Sequence, residues 1–217
     1  MDDKNRDRSG SSYRGAVSGI ASPGAGDCDQ LLMREVASGD EAAFSRLVDA
    51  HNGAVINTCY RILGSREDAE DVAMDVFVRV HRNAASFRGD SKLSTWLYRI
   101  SVNLSLNHLR KRRRDRYLGF LSLSEPAGKL AARAARAPES RRPDRELEAG
   151  ERSRVLNDAL AALPDNQRAA IVLHKFEGLS QDDVASVLGV TPGAVESLVH
   201  RAKQTLCKRF LRALGEP

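Results

Sequence analysis

One segment near the C-terminal end, Ser180 to Lys203 (SQDDVASVLGVTPGAVESLVHRAK), restricts what this chain can fold into more than any other. Ser180 can cap a first helix, with Asp183 three residues on as a box-like partner. Ala185 is small where two helices must nearly touch. Gly189 can take the left-handed backbone that a turn needs, and Thr191 followed by Pro192 is a cap with a favoured first residue for a second helix. Val184, Leu188, Val190, Val195 and Leu198 are expected to form the shared core. Thr191, Gly193, Glu196, Ser197 and His200 then point outward at the start of the second helix, where a helix-turn-helix reads major-groove base edges, and Arg201 and Lys203 follow for phosphates. An ordinary helical hairpin is the plainer alternative. Cap, glycine, small residue and apolar positions all in register favour the DNA-binding unit.

The rest of the chain fits one or two small soluble domains with polar connectors: 217 residues, 29% charged, 41% hydrophobic. A net charge of +5 suits a polyanionic partner only mildly. The distribution says more. Basic residues collect at Arg110, Lys111, Arg112, Arg113, Arg114 and Arg116, and acids at Glu67, Asp68, Glu70, Asp71 and Asp75, so one surface is expected to meet nucleic acid and another a basic protein. Cys28, Cys59 and Cys207 form no CxxC or Cys/His pattern, which indicates neither a disulfide framework nor a metal site and points to a reducing cytoplasm. No apolar stretch approaches the roughly 20 residues of a membrane helix, and the N-terminus lacks the apolar core of a signal peptide.

Residues 1–27 are rich in Ser, Gly, Asp and Arg and are expected to be a disordered tail. A connector is expected over residues 115–151, where Pro126, Pro138 and Pro143 interrupt Ala/Arg-rich sequence. Between and after them lie two apolar-periodic blocks, residues 28–114 and 152–214, with no alternating strand pattern, so the fold class is all-α, two small helical domains joined by a flexible linker.

The first block divides at its caps. Asp40 starts a helix whose stripe runs Phe44, Leu47, Val48, His51, Val55, Cys59 and Ile62, and Gly64 ends it. Cys59 reads as a small core hydrophobe in preference to a redox sensor. Ser65 caps the next helix, whose buried stripe is Ala69, Val72, Ala73, Val76, Phe77 and Val80. Its other face carries Asp68, Asp71, Met74, Asp75 and Val78. Apolar side chains between carboxylates four residues apart suit docking on a basic helix, against the alternative of a plainly solvated face. A third helix, with its cap expected at Ser94, sends Leu93, Leu97, Ile100 and Leu104 to the core. Trp96, Arg99, Asn103 and Arg110 spread over an adjoining face that leads into Lys111, Arg112 and Arg113. An aromatic, an amide and cations together suit single-stranded or melted DNA: bases stack, amides read edges and cations hold phosphates. Taken alone, Trp96 reads as a core aromatic and the basic run as a solvated helix end.

Three motifs, DAEDVAMDVFVRV (Asp68 to Val80), STWLYRISVNLSLNHLRKRR (Ser94 to Arg113) and ALPDNQRAAIVLHKFEGLSQDDVASVLGVTPGAVESLVHRAK (Ala162 to Lys203), resemble the bacterial RNA polymerase sigma factors of the extracytoplasmic-function type. The resemblance implies a region 2 over residues 28–114 and a region 4 over 152–214. It implies that the first motif binds the clamp helices of the beta-prime subunit, with Asp71 and Asp75 at the acidic contacts. The second would melt and recognise the minus-10 element, with Asn103 and Trp96 at the family positions, and the third would recognise the minus-35 element. Met74 stands where the family often has glutamine and Asn107 where aspartate is common. Glu196 and Leu198 occupy positions often basic there, so an unusual minus-35 sequence is expected. The implied partners are core RNA polymerase, including its beta subunit, promoter DNA and an anti-sigma factor. No cofactor and no catalytic residue is implied. A stand-alone helix-turn-helix regulator would need a dimer interface or a ligand pocket, and a nucleic-acid enzyme a metal or phosphate-binding constellation; the sequence displays neither.

Overall fold

The computed structural model describes residues 25–122 and 155–213. Residues 1–24 of the expected tail and 123–151 of the expected connector lie outside them, as do 152–154; residues 25–27 and 115–122, expected in tail and connector, are helical. Helices α1 (Ala25–Ala37), α2 (Glu41–Leu63), α3 (Arg66–Arg82) and α4 (Leu93–Ser122) build the first domain, with a short 3-10 turn at Ala84–Ser86. The second domain contains α5 (155–161 as described), α6 (Asp165–Ile171), a π-helical turn at Val172–Phe176, α7 (Gln181–Leu188) and α8 (Pro192–Ala213). No strand occurs among the described residues, and the fold is all-α.

Local chemistry sets the helix ends. The Asp40 carboxylate accepts from the amides of Ala42 and Ala43, at 2.8 and 3.1 Å, satisfying two of the donors that a helix start leaves unpaired. At the other end of α2, Gly64 adopts φ +75, and its amide bonds the Tyr60 carbonyl. Ser65 then caps α3 through the Asp68 amide. This tight reversal lays α3 back along α2, so that Leu47, Val55, Cys59 and Ile62 meet Ala69, Val72, Ala73, Val76 and Val80, all nearly or fully buried. Phe44 and Val48, expected in the same stripe, are half-buried at its edge.

The α4 helix departs from expectation in two respects. It begins at Leu93, not after a cap at Ser94: the Trp96 amide already bonds the Lys92 carbonyl, and the wholly buried Leu93 side chain pins that first turn to the core. Its core-facing residues are Leu93, Leu97, Tyr98, Val102, Leu106 and Leu109, with Ile100 and Leu104 only half-buried. The serines decide this. Ser101 and Ser105 are fully buried, and Ser101 returns its hydroxyl to the Leu97 carbonyl at 2.8 Å, so two polar residues lie at the centre of the buried face.

In the second domain the helix-turn-helix has the expected caps. Ser180 accepts from the Asp183 amide and donates to its carboxylate, and Thr191 accepts from the Ala194 amide. Gly189 sits at φ +67 with its amide on the Ala185 carbonyl. Val184, Ala185, Val195, Val199 and Ala202 are buried. Val190 corrects the expected core: it is 37% exposed, and Val187 is buried in its place. The Val190 amide closes the turn on the Ala185 carbonyl, so its side chain leaves the interface just where the chain reverses.

The two domains do not stand apart. Their buried residues run together into one apolar body, joined where the π-turn and α6 meet α2 and where α7 meets α4.

Candidate functional site

On α3 the buried stripe leaves Asp71, Met74, Asp75 and Val78 outward. All four are exposed, Met74 at 70% and Val78 at 42%. Two exposed apolar side chains thus lie between carboxylates on one helix face. Asp68, grouped with them in the sequence, is half-buried and differently engaged. Its carboxylate accepts from Arg112 at 2.9 Å and lies 3.5 Å from His108 Nε2, tying the start of α3 to the basic end of α4.

The basic-aromatic surface runs along α4. Trp96 is half-buried, with its ring tilted 60° to that of Phe87 and 5.5 Å away. It therefore braces the loop before α4 while staying only half-buried. Asn103, Arg110 and Lys111 are exposed, and Arg110 donates to Asn107 at 3.1 Å. The remaining cations are partnered. Arg112 holds Asp68, Arg99 donates to Ser186 on α7, and Arg113 makes a bidentate pair with Asp165 at 2.7 and 2.8 Å. Both Ser186 and Asp165 belong to the second domain.

Thr191, at the cap of α8, and Gly193, Glu196, Ser197, His200, Arg201 and Lys203 along it are all exposed. Ser197 donates back to the Gly193 carbonyl at 3.1 Å, and His200 Nε2 lies 2.9 Å from the Gln204 amide nitrogen. The outer side of the helix start therefore presents polar side chains, Glu196 among them as an exposed carboxylate.

A fourth cluster was not singled out by the sequence reading. Glu177, just after the π-turn, accepts from Arg61 of α2 at 3.0 Å and from the Tyr98 hydroxyl of α4 at 2.9 Å, and its side chain is only 6% exposed. The Arg61 guanidinium also lies 4.9 Å above the Phe176 ring. Burial, and then the Glu177 charge, push the Tyr98 hydroxyl well above its ordinary range, so it stays a donor. Nearby, the buried Arg168 donates to the Ile62 carbonyl at 2.6 Å, at the C-terminal end of α2, and to the carbonyls of Ala161 and Leu163. A lone arginine ahead of the apolar run Ala169–Leu173 was the only available signal. Glu177 and Tyr98 carried none.

Cys59 is buried, and desolvation pushes its thiol up to about 11, so it is an inert core residue. Among the described residues no helix is long and apolar enough to cross a membrane.

Comparison with known proteins adds the family. The sequence model of Sigma-70 region 2 matches residues 47–115, and that of Sigma-70, region 4 matches residues 153–206. The chain is 33% identical over 180 residues to the ECF RNA polymerase sigma factor SigW of Bacillus subtilis, covering 82% of this chain and 94% of that protein. It is 33% identical over 188 residues to the RNA polymerase sigma-H factor of Pseudomonas aeruginosa, covering 87% and 96%. Among solved structures, CnrH in complex with the cytosolic domain of CnrY is similar at a TM-score of 0.59 and 29% identity, over 86% of this chain and 99% of that one.

Proposed function

Because the chain belongs to the extracytoplasmic-function group of the sigma-70 family of RNA polymerase sigma factors, we propose that it docks on core RNA polymerase through α3 and directs initiation by reading two promoter elements. The observation that carries this reading is the outward face of α3, where Met74 stands 70% exposed between Asp71 and Asp75. Water gains nothing from an exposed methionine on an otherwise well-packed helix. A clamp helix bearing cations beside apolar side chains would cover it and pair the carboxylates.

Half-buried Trp96, Arg99, Asn103, Arg110, Lys111, Arg112 and Arg113 form the minus-10 surface in this reading. Glu196, Ser197 and His200 read minus-35 base edges while Arg201 and Lys203 hold phosphates. The domains are taken as residues 28–114 and 152–214. The polymerase supplies the chemistry of RNA synthesis, and this chain, working in the cytoplasm, supplies recognition. Its likeness to CnrH, solved with the cytosolic domain of CnrY, supports control by an anti-sigma protein.

Replacing Asp71→Lys with Asp75→Lys tests the docking face. Both residues lie outside the buried stripe, so helicity and unfolding midpoint stay near wild type. Like-charge contact with the clamp costs several kcal/mol, and co-purification with core polymerase is lost. Full recovery of polymerase by the folded double variant overturns the assignment.

A further inference from the structure

We infer that this chain closes on itself, with Glu177 as the latch, and that the closed form engages two cations of the minus-10 surface while leaving the polymerase-docking face open. The inference rests on the reading of Arg99 and Arg113 as minus-10 cations given above. In the structure each is engaged by the second domain: Arg99 by Ser186 of α7, and Arg113 by both oxygens of Asp165. The N–H groups that bond Asp165 and Ser186 are not free to bond a phosphate in the same arrangement, so closure competes with DNA for these two cations. By contrast Asp71, Met74, Asp75 and Val78 remain exposed, as do Glu196, Ser197 and His200. On the minus-10 surface two cations are engaged while Asn103, Arg110 and Lys111 beside them stay exposed; the minus-35 residues are all open.

The latch is built at the π-turn. Its wider winding ends the helix at Phe176, which stacks beneath the Arg61 guanidinium, and Glu177 follows at once. Glu177 Oε1 takes Arg61 and Oε2 takes Tyr98, so a nearly buried carboxylate is satisfied wholly by the other domain. Removing either partner leaves a charge without its solvation, which makes this point selective for the closed pairing. Arg168 adds a second stitch through the Ile62 carbonyl.

Closure is also imperfect, as a reversible contact must be. The Nε atoms of Arg99 and Arg168 are buried with no hydrogen-bond partner among the described residues. The Arg113 side chain in its pair with Asp165 is 56% exposed, and such pairs are weak. Phosphates offered to Arg99 and Arg113 would satisfy these groups better than closure does. The physical order follows: polymerase docks on the closed chain, and the second domain must release Arg99 and Arg113 before these two can hold DNA.

The test uses the full chain and three variants: Glu177→Lys, Glu177→Gln, and the exchange Arg61→Glu with Glu177→Arg. Small-angle scattering of the free protein reads closure. The radius of gyration rises in Glu177→Lys, rises less in Glu177→Gln, and returns toward wild type in the exchange variant, whose pair is restored with reversed sign. Fluorescence anisotropy with a random-sequence single-stranded oligonucleotide reads masking. Glu177→Lys binds roughly tenfold more tightly than wild type if the closed form holds about nine-tenths of the molecules, and core-polymerase affinity stays the same. An unchanged radius in a folded Glu177→Lys overturns the latch, as does an exchange variant that stays open. An opened chain with unchanged oligonucleotide affinity overturns the masking. Adding Arg99→Ala and Arg113→Ala to the Glu177→Lys chain separates the two readings. If these changes do not weaken binding in the opened chain, the assignment of the minus-10 surface has failed, whatever the latch does.

Discussion

Glu196 is exposed in the first turns of α8, and an ionised carboxylate can only accept. In the major groove its match is the cytosine N4 donor, so Glu196 is expected to favour C at one minus-35 position. Glu196→Arg reverses the requirement to an acceptor and moves the preference toward G by about 1 to 3 kcal/mol at that position alone. Selection from a randomised minus-35 library reads this directly; identical preferences would place base reading elsewhere on the helix. A second residue-scale effect concerns pH. His51 is buried on α2 with no partner for Nδ1 among the described residues, and burial holds its imidazole below the usual 6.5 against the pull of Asp29. A folded-state value below the unfolded one means that the fold accommodates the neutral ring. That stability is fully present above pH 6.5 and is lost as pH falls through the depressed value. Urea midpoints should therefore decline from about pH 7 to about pH 5, and His51→Leu should flatten the slope.

At the scale of elements, the caps carry the strongest local commitments. Asp40 satisfies two backbone donors at the start of α2, so Asp40→Ala should cost about 1 kcal/mol in chemical unfolding. Gly189 isolates a purely conformational term, because a β-carbon placed there would meet nothing within 4 Å. Gly189→Ala should destabilise the second domain by about 1 to 2 kcal/mol through its positive φ, and Gly189→Asn by less. Thermal melting of the two variants measures the difference; equal melting would mean that the turn relaxes. These elements were legible because caps and stripes act over three or four residues, within reach of contiguous sequence. The register of α4 was less so. Buried Ser101 and Ser105 look polar in a hydrophobic pattern, yet both are small enough to lie at the centre of the packed face, and Ser101 returns its hydroxyl to the helix.

Across the whole molecule, a few polar contacts hold two helical units as one body. Arg168 donates to three carbonyls, one of them in the other domain. Arg168→Met strips charged donors from buried acceptors and should cost roughly 3 kcal/mol, seen as a lowered urea midpoint. An unshifted midpoint would mean that water takes over those carbonyls. Contiguous patterns alone settle the all-helical class, most helix ends, the buried stripe of α3, its acidic-apolar outer face and the helix-turn-helix. Each is a repeating or capping pattern whose cause is local. Only the tertiary structure decided that Asp68 serves α4, that Val190 leaves the core, and that Glu177 meets Tyr98 and Arg61 across 79 and 116 residues of chain. Such pairs have no period and no fixed spacing. They exist because two surfaces meet, and burial then makes a lone carboxylate depend on whatever donors the other surface brings.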